Sequence, residues 1–375
     1  MRDYSVKTVQ ARGQTQHFYT LAPTYSISKF VKSYRTLLAE IQQKQEVVIL
    51  ERVFGDLQYK EYLAQVKKEF FSQLSQQEYP ASYVEGSSTS GSPVAGIIIQ
   101  TVEDGKNVAY IRDHDTVYGT RYFVGSIERL AIEGVIDPLE ATDFSSVVVK
   151  EYEMIDRISQ TAEFNKRDLT RTWHYIYPII DNYASFNNER RAYFERSGIF
   201  YIQEPQSVPA STCIEGRGGD KGCSTMNLYY IKKTDDVHIQ RIFNKNQKEA
   251  DSKFYQYNPT FSRALQIQQP GLCELQISGT ASIDKKGNTQ HAGDAYSQIK
   301  KTMQLVDSLL KQTGMAFNDI CYATFILKRK SDFQFVHKVM QELSYPEFPY
   351  ISIVGNICRD DLLFELDGVA VREMR

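Results

Sequence analysis

The side chain best suited to chemistry is an acid near the end of the sequence. Glu365 lies in an apolar run, with Leu362, Leu363 and Phe364 before it and Leu366 after it. A carboxyl group held among apolar neighbours has a raised pKa, so it can keep its proton at neutral pH and act as a general acid. The residues alone leave a second interpretation open, in which an alternating strand directs Glu365 to solvent.

Four arginines are candidates for binding a carboxylate-bearing ligand, because a planar guanidinium can donate two parallel hydrogen bonds to one carboxylate. They are Arg171, Arg190, Arg263 and Arg359. Arg171 falls in a predicted strand, and Arg263 comes just before another. For each arginine taken singly, a surface salt bridge is the alternative role.

Three further residues are candidates for shaping a ligand site. Thr212 offers a hydroxyl or a backbone N–H in a small-residue loop, although ordinary turn chemistry would also explain it. Gly279 would let a ligand approach the backbone, and a strand bulge is its alternative explanation. Cys358 follows a predicted strand, where a free cysteine is commonly an inert buried thiol.

Other kinds of catalytic site are not predicted. His174, His238, His291 and His337 lack the spacing of a metal-binding motif. No G-x-S-x-G elbow is present, so the sequence gives no support for a serine hydrolase. We therefore expect no metal site.

The candidates must be positioned by a repeated unit, which is clearest at the end of the chain. Its predicted elements are, in order, a strand at Cys273–Ile283, a helix with apolar positions from Ile299 to Leu310, a strand at Ile320–Leu327, a helix at Asp332–Leu343, and strands at Tyr350–Ile357 and Leu362–Val371. This order predicts helices on one face of a mixed sheet.

Two earlier segments repeat this order. Asp143–Ile176 superposes on Asp294–Leu327 without a gap, and the first segment has helices at Ser26–Gln42 and Tyr59–Leu74 with strands at Val47–Val53 and Val94–Thr101. Thr8–Leu21 is left unassigned. Amphipathic helices superpose loosely in any case, but near-identical segments at Pro80-Ala-Ser-Tyr-Val-Glu-Gly86 and Pro209-Ala-Ser-Thr-Cys-Ile-Glu-Gly216 favour a true repeat.

We therefore predict an α+β chain of three β-α-β units, at residues 1–105, 106–235 and 236–375. Three such units can close like a ring of three subunits, which buries the exposed face of each sheet. Clefts between packed units are common ligand sites, and we expect the site between the second and third units. The segment Gly216–Gly222 is predicted to be a hairpin rather than a phosphate-binding loop, since a strand follows it.

Composition narrows the class of function. The chain has 375 residues, 24% of them charged, and a net charge of −2, which argues against a nucleic-acid platform. Five cysteines without a C-x-x-C pair indicate reduced thiols and a cytoplasmic protein. The N-terminus lacks the apolar core of a signal peptide, and no apolar run is long enough to span a membrane.

Several motifs resemble known families. Pro259-Thr-Phe-Ser-Arg-Ala264 and Ile357–Ala370 are similar to a RidA/YjgF-type domain. A second set of motifs resembles the chorismatase family, also described as chorismate lyase or 3-hydroxybenzoate synthase. The motifs are Phe261-Ser-Arg-Ala264, Ser278-Gly-Thr-Ala-Ser-Ile283, Arg171-Thr-Trp173, Phe186-Asn-Asn-Glu-Arg190 and Pro209-Ala-Ser-Thr212. The similarity is strong from about Asp168 onward and weak before it.

The resemblance implies a chain of RidA-like units that cleaves the enolpyruvyl ether of chorismate and releases pyruvate without a cofactor. It implies that Glu365 is the general acid and that Arg171, Arg190, Arg263 and Arg359, with Thr212, Gly279 and Cys358, contact the substrate. Glu189 stands where the family has a glycine, so Arg190 and Arg191 are alternatives for one role.

The pairing of Gly279 with Cys358 resembles the subtype that forms 3-hydroxybenzoate. Alternatives are the hydrolytic subtype, which gives a dihydroxycyclohexadiene carboxylate, a RidA-like imine deaminase, and a non-catalytic small-molecule binding protein. We expect a small-molecule substrate and neither nucleic acid nor membrane as partner. The chain would be a monomeric pseudo-trimer or would form a homo-oligomer.

Overall fold

The computed structural model describes residues 3–72, 78–136, 143–199, 208–219, 222–247 and 260–374. These residues form three mixed β-sheets, and two α-helices pack on one face of each sheet. The helices that the structure describes are all too short or too polar to cross a lipid bilayer.

The first sheet holds five strands. In spatial order they are β1 (Tyr4–Ala11), β2 (Gln14–Leu21), β6 (Val94–Val102), β3 (Val47–Gly55) and β4 (Ala81–Glu85). Its helices are α1 (Ile27–Gln43) and α2 (Lys60–Ser72). The unassigned stretch Thr8–Leu21 is thus most of an antiparallel hairpin, β1 with β2. The predicted second helix is present through Ser72, and its last two residues lie outside the described ranges.

The second sheet holds six strands. In spatial order they are β11 (Ala210–Glu215), β10 (Leu169–Ile176), β12 (Ser224–Ile231), β9 (Ile127–Ile136), β8 (Thr116–Val124) and β7 (Ala109–Asp113). Its helices are α3 (Phe144–Thr161) and α4 (Ile179–Arg196). Since β11 and β12 lie on opposite sides of β10, the segment Gly216–Gly222 does not join neighbouring strands. The prediction of a hairpin there is wrong.

The third sheet holds seven strands. In spatial order they are β13 (His238–Ile242), β14 (Ala264–Gln269), β15 (Leu272–Ala281), β18 (Phe364–Glu373), β16 (Ile320–Leu327), β17 (Tyr350–Val354) and β5 (Ser87–Ser88). Its helices are α5 (Ala295–Gln312) and α6 (Gln334–Glu342). The short strand β5 comes from the first segment and pairs with β17, so it ties the two sheets together.

The repeat predicted from the sequence is visible in matching elements. Helices α3 and α5 both have 18 residues, and each begins at an aspartate whose side chain accepts a hydrogen bond from a serine N–H three residues later. These N-caps are Asp143 with Ser146 and Asp294 with Ser297. In each sheet one pair of strands is parallel, because the second helix of the unit crosses over between them. These observations confirm an α+β fold built of repeated units.

Each sheet has two buried faces. The helices cover the outer face, while the inner faces of all three sheets meet in one shared core. Phe18 from the first sheet, Trp173 from the second and Tyr322 from the third all belong to this core. The shared core therefore encloses places between the sheets where a few polar side chains are held apart from water.

Candidate active site

Glu365 is a buried acid at the seam between the second and third sheets. It lies in β18, between β15 and β16, and it is 5% exposed. Burial and, to a smaller extent, the nearby carboxylate of Asp367 together raise its pKa from the ordinary 4.5 to about 8, against the opposing effects of Arg263 and Arg171. A glutamate with this pKa is mostly protonated at neutral pH.

Asp367 lies two residues after Glu365, so both side chains are on the same face of β18. One of its oxygens, Oδ2, accepts three hydrogen bonds. The donors are Arg171 Nη2 at 2.9 Å, Trp173 Nε1 at 2.8 Å and Thr212 Oγ1 at 2.6 Å. These donors hold the Asp367 carboxylate in place beside Glu365, whose pKa it raises.

Gly279 faces Glu365 from the neighbouring strand β15. Its N–H donates to Thr212 Oγ1 at 3.1 Å. A Cβ atom at this position would overlap the carboxyl group of Glu365. A larger residue here would therefore displace the carboxyl group of Glu365; it is this side chain that approaches the backbone, whereas the approach of a ligand stays a prediction.

These residues border a narrow pocket between the second and third units. Its walls include Glu365, Gly279, Arg190, Arg263, Tyr183 and Cys358. The empty space out to the pocket mouth is about 390 Å³, of which about 20 Å³ is wide enough for the centre of a water molecule. In this conformation the pocket has room for about one water, so a larger ligand requires a wall side chain to move.

Two arginines reach this pocket from different units. Arg190, from α4, donates to Ser211 Oγ at 3.2 Å and to Asn187 Oδ1 at 2.6 Å. Arg263 lies just before β14, and both guanidinium groups contact the ring of Phe261, at 5.9 and 5.0 Å from its centroid. Both arginines are 2% exposed. Of the two alternatives left by the sequence, it is Arg190 that lines the pocket.

Three of the residues predicted to contact a ligand do not line the pocket. Arg171 is fully buried behind it, where its guanidinium pairs with Asp367 and also donates to Thr212 Oγ1 at 2.6 Å. Thr212 is held in the same network. Arg359 donates to the carbonyl of Gly287 at 2.5 Å, away from the pocket lining.

Two thiols also face the pocket. An isolated antiparallel bridge between Ile214 and Ile357 brings the neighbouring residues Cys213 and Cys358 to the same wall. Burial raises the pKa of Cys358 to about 12 and that of Cys213 well above its ordinary value. Both therefore remain neutral thiols, and a thiolate nucleophile is not supported.

Sequence reasoning missed Asp367 and Tyr183. The alternation of β18 was the available signal for Asp367, since any residue two positions from a buried Glu365 must share its face. Tyr183 gave no signal, because its place in the pocket depends on how α4 packs across the seam. In the described ranges, no cluster of three or more histidine, cysteine, aspartate or glutamate side chains is arranged to hold a metal.

Comparisons with known proteins agree with this architecture. Residues 260–372 match the family described as Endoribonuclease L-PSP, the RidA type. A solved chorismatase structure superposes on 96% of this chain and 99% of its own, with a TM-score of 0.65 and 16% identity. The resemblance to chorismatases is confirmed. At this identity, the structural match establishes the fold.

Relatives identified by sequence agree with this structural similarity to chorismatases. A chorismatase of Streptomyces rapamycinicus is 25% identical over 54% of this chain, and a 3-hydroxybenzoate synthase of Streptomyces hygroscopicus is 23% identical over 56%. The matches span 63% and 65% of those relatives' own lengths. The 3-aminoacrylate deaminase RutC of Acinetobacter baylyi is 26% identical over 26% of this chain.

Proposed function

We propose that this chain converts chorismate, cleaving its enolpyruvyl ether to release pyruvate and 3-hydroxybenzoate. The observation that carries the proposal is the buried, protonated Glu365, which lies in a pocket that also holds the arginines Arg190 and Arg263. Chorismate carries two carboxylates, and a RidA-like deaminase would need only one such arginine. The similarity to chorismatases supports this choice of substrate.

The chemistry needs a proton on carbon. Glu365 donates its proton to the terminal methylene carbon of the enol ether, which becomes a methyl group and leaves an oxocarbenium centre. The bond between the ring carbon and the ether oxygen then breaks, and its electrons form the carbonyl of pyruvate. The neighbouring ring hydroxyl oxygen bonds to that ring carbon, and its proton can return to the Glu365 carboxylate. Opening of the resulting arene oxide gives 3-hydroxybenzoate, with no water consumed.

The remaining residues support this step by position and charge. The carboxylates of the substrate would pair with Arg190 and Arg263, whose guanidinium groups are held by aromatic contacts at the pocket wall. Arg171 and Thr212 act indirectly, because their hydrogen bonds hold Asp367 in place. The charge of Asp367 in turn favours the protonated form of Glu365. We expect Tyr183 to move when substrate enters.

The product subtype depends on whether water reaches the reacting carbon. The tight pocket, whose walls include Gly279 and the neutral Cys358 thiol, supports intramolecular attack. The hydrolytic alternative consumes one water and gives a dihydroxycyclohexadiene carboxylate.

Incubation with chorismate tests the proposal. Pyruvate is followed with lactate dehydrogenase, and the ring product is identified by chromatography against both standards. Pyruvate with 3-hydroxybenzoate is expected. Pyruvate with the diene would replace the subtype, while a folded sample that gives no pyruvate would leave a deaminase or a binding protein.

A further inference from the structure

The cleft between the first and second units has positions equivalent to those of the candidate active site, with different residues at them. In β12, Thr225 corresponds to Glu365 of β18. Thr225 pairs with Tyr175 of β10, and Glu365 pairs with Ile326 of β16. Tyr175 and Ile326 are equivalent in the gapless superposition of Asp143–Ile176 on Asp294–Leu327. Thr225 lines the first cleft as Glu365 lines the second.

The supporting polar residues correspond as well. Asn227 takes the position of Asp367, and its Nδ2 donates to Ser82 Oγ at 3.1 Å. Ser82 lies at the edge of the first sheet as Thr212 lies at the edge of the second. The N–H of Gly134 donates to Asn227 Oδ1 at 2.8 Å. The first cleft thus has uncharged side chains at the positions of Asp367 and Glu365, while Ser82 also donates to Glu133 Oε2 at 3.1 Å, and Glu133 is paired with Arg52.

The two clefts differ greatly in open space. In the first cleft, the volume wide enough for the centre of a water molecule is about 750 Å³, against about 20 Å³ in the second. A cavity of this size is typical of small-molecule sites. Its walls include Ser82, Gly134 and Thr225, together with apolar side chains such as Leu63 and Val117.

Lys67 is the candidate side chain for binding an anion in the first cleft. Lys67, on α2, lies 4.5 Å from the centroid of the Tyr79 ring and 3.5 Å from Glu51 Oε1. The other oxygen of Glu51 accepts from Tyr34 at 2.7 Å and from Tyr79 at 2.8 Å. These donors already pair with the carboxylate of Glu51, so Glu51 does not need a cationic ligand. An ammonium group has three donors, so Lys67 can also bind a ligand anion. Lys60 and Lys68 extend the same wall.

We propose that this first cleft binds a small ring-bearing monocarboxylate without converting it. The carboxylate would pair with Lys67, and the ring would lie against the apolar wall that includes Leu63 and Val117. Thr225 has no proton acidic enough to transfer to carbon, so the ligand is held and released unchanged. The choice of 3-hydroxybenzoate as one probe rests on the proposed function, while the site itself does not.

Isothermal titration calorimetry with benzoate and with 3-hydroxybenzoate tests this site. Four proteins are compared: the full chain, Lys67→Met, Ala64→Trp and Lys285→Met. The tryptophan places a large side chain in the cavity from α2, and Lys285→Met is a matched control at an exposed lysine. We expect Lys67→Met to weaken one binding event by about tenfold or more. Ala64→Trp should abolish that event, and Lys285→Met should leave it unchanged.

Measurement of pyruvate release distinguishes the proposed binding site in the first cleft from the proposed conversion of chorismate. Pyruvate release from chorismate should be unchanged in Lys67→Met and Ala64→Trp when no product is added, because neither residue lies in the second cleft. Benzoate binding that is equal in all four proteins, or absent from the full chain at millimolar concentration, would overturn the second site. Failure to release pyruvate would overturn the proposed reaction and leave the benzoate comparison valid.

Discussion

Replacement of Glu365 by glutamine should change how the stability of the protein depends on pH. The pKa of Glu365 is about 8 in the folded chain, against 4.5 for an ordinary glutamate. Below pH 4.5 both states hold the proton, and above pH 8 neither does. In between, only the folded state holds it, so stability falls as pH rises. The shift corresponds to about 5 kcal/mol over the whole range, at 1.36 kcal/mol for each unit.

Urea unfolding of both proteins at pH 6, 7, 8 and 9 gives the assay. Other titrating groups cancel when the free energies of unfolding are subtracted. The glutamine variant should gain about 2 kcal/mol relative to the parent chain between pH 6 and pH 8, and the difference should level off by pH 9. Glu347→Gln, at an exposed glutamate, is the control and should show a difference that does not vary with pH. A pH-independent difference for Glu365→Gln as well would refute the buried, protonated acid.

Three further outcomes follow from the same geometry. First, kcat/KM for chorismate should fall as pH rises through about 8, because Glu365 must be protonated to act; a pH profile checks this. Second, Asp367→Asn should move that fall to lower pH by on the order of one unit, because a like charge is removed, and an unmoved profile would exclude the positioning role. Third, Arg263→Lys should raise KM by roughly tenfold to a hundredfold with little change in kcat, since a lysine cannot make the bidentate contact; a change in kcat alone would contradict carboxylate binding.

Much of the fold could be predicted because its signals are local. The N-caps Asp143 and Asp294 and the apolar spacing of the following helices are written in short stretches of sequence, and they revealed the repeat. The importance of Glu365 could also be predicted from the sequence, since a single acid in an apolar run has few explanations. The register of the strands then decides which side it faces, and the structure buries it.

The partners of the acid could not be predicted because they depend on contacts across the seam. Arg171 looks like a ligand-binding arginine in sequence, but strand pairing places Asp367 within hydrogen-bonding distance of it. Arg359 follows a strand near the pocket, yet its side chain reaches the carbonyl of Gly287 instead. Long side chains can reach several neighbours, and only the packed structure shows which one each of them meets.

The most direct test of the central claim is the rate of pyruvate release from chorismate by Glu365→Gln, measured beside its affinity for chorismate. We expect a rate lower by about a hundredfold to ten-thousandfold, which is the usual contribution of a positioned acid, with chorismate still bound. A variant that binds chorismate and releases pyruvate at the rate of the parent chain would contradict the assignment of Glu365 as the proton donor.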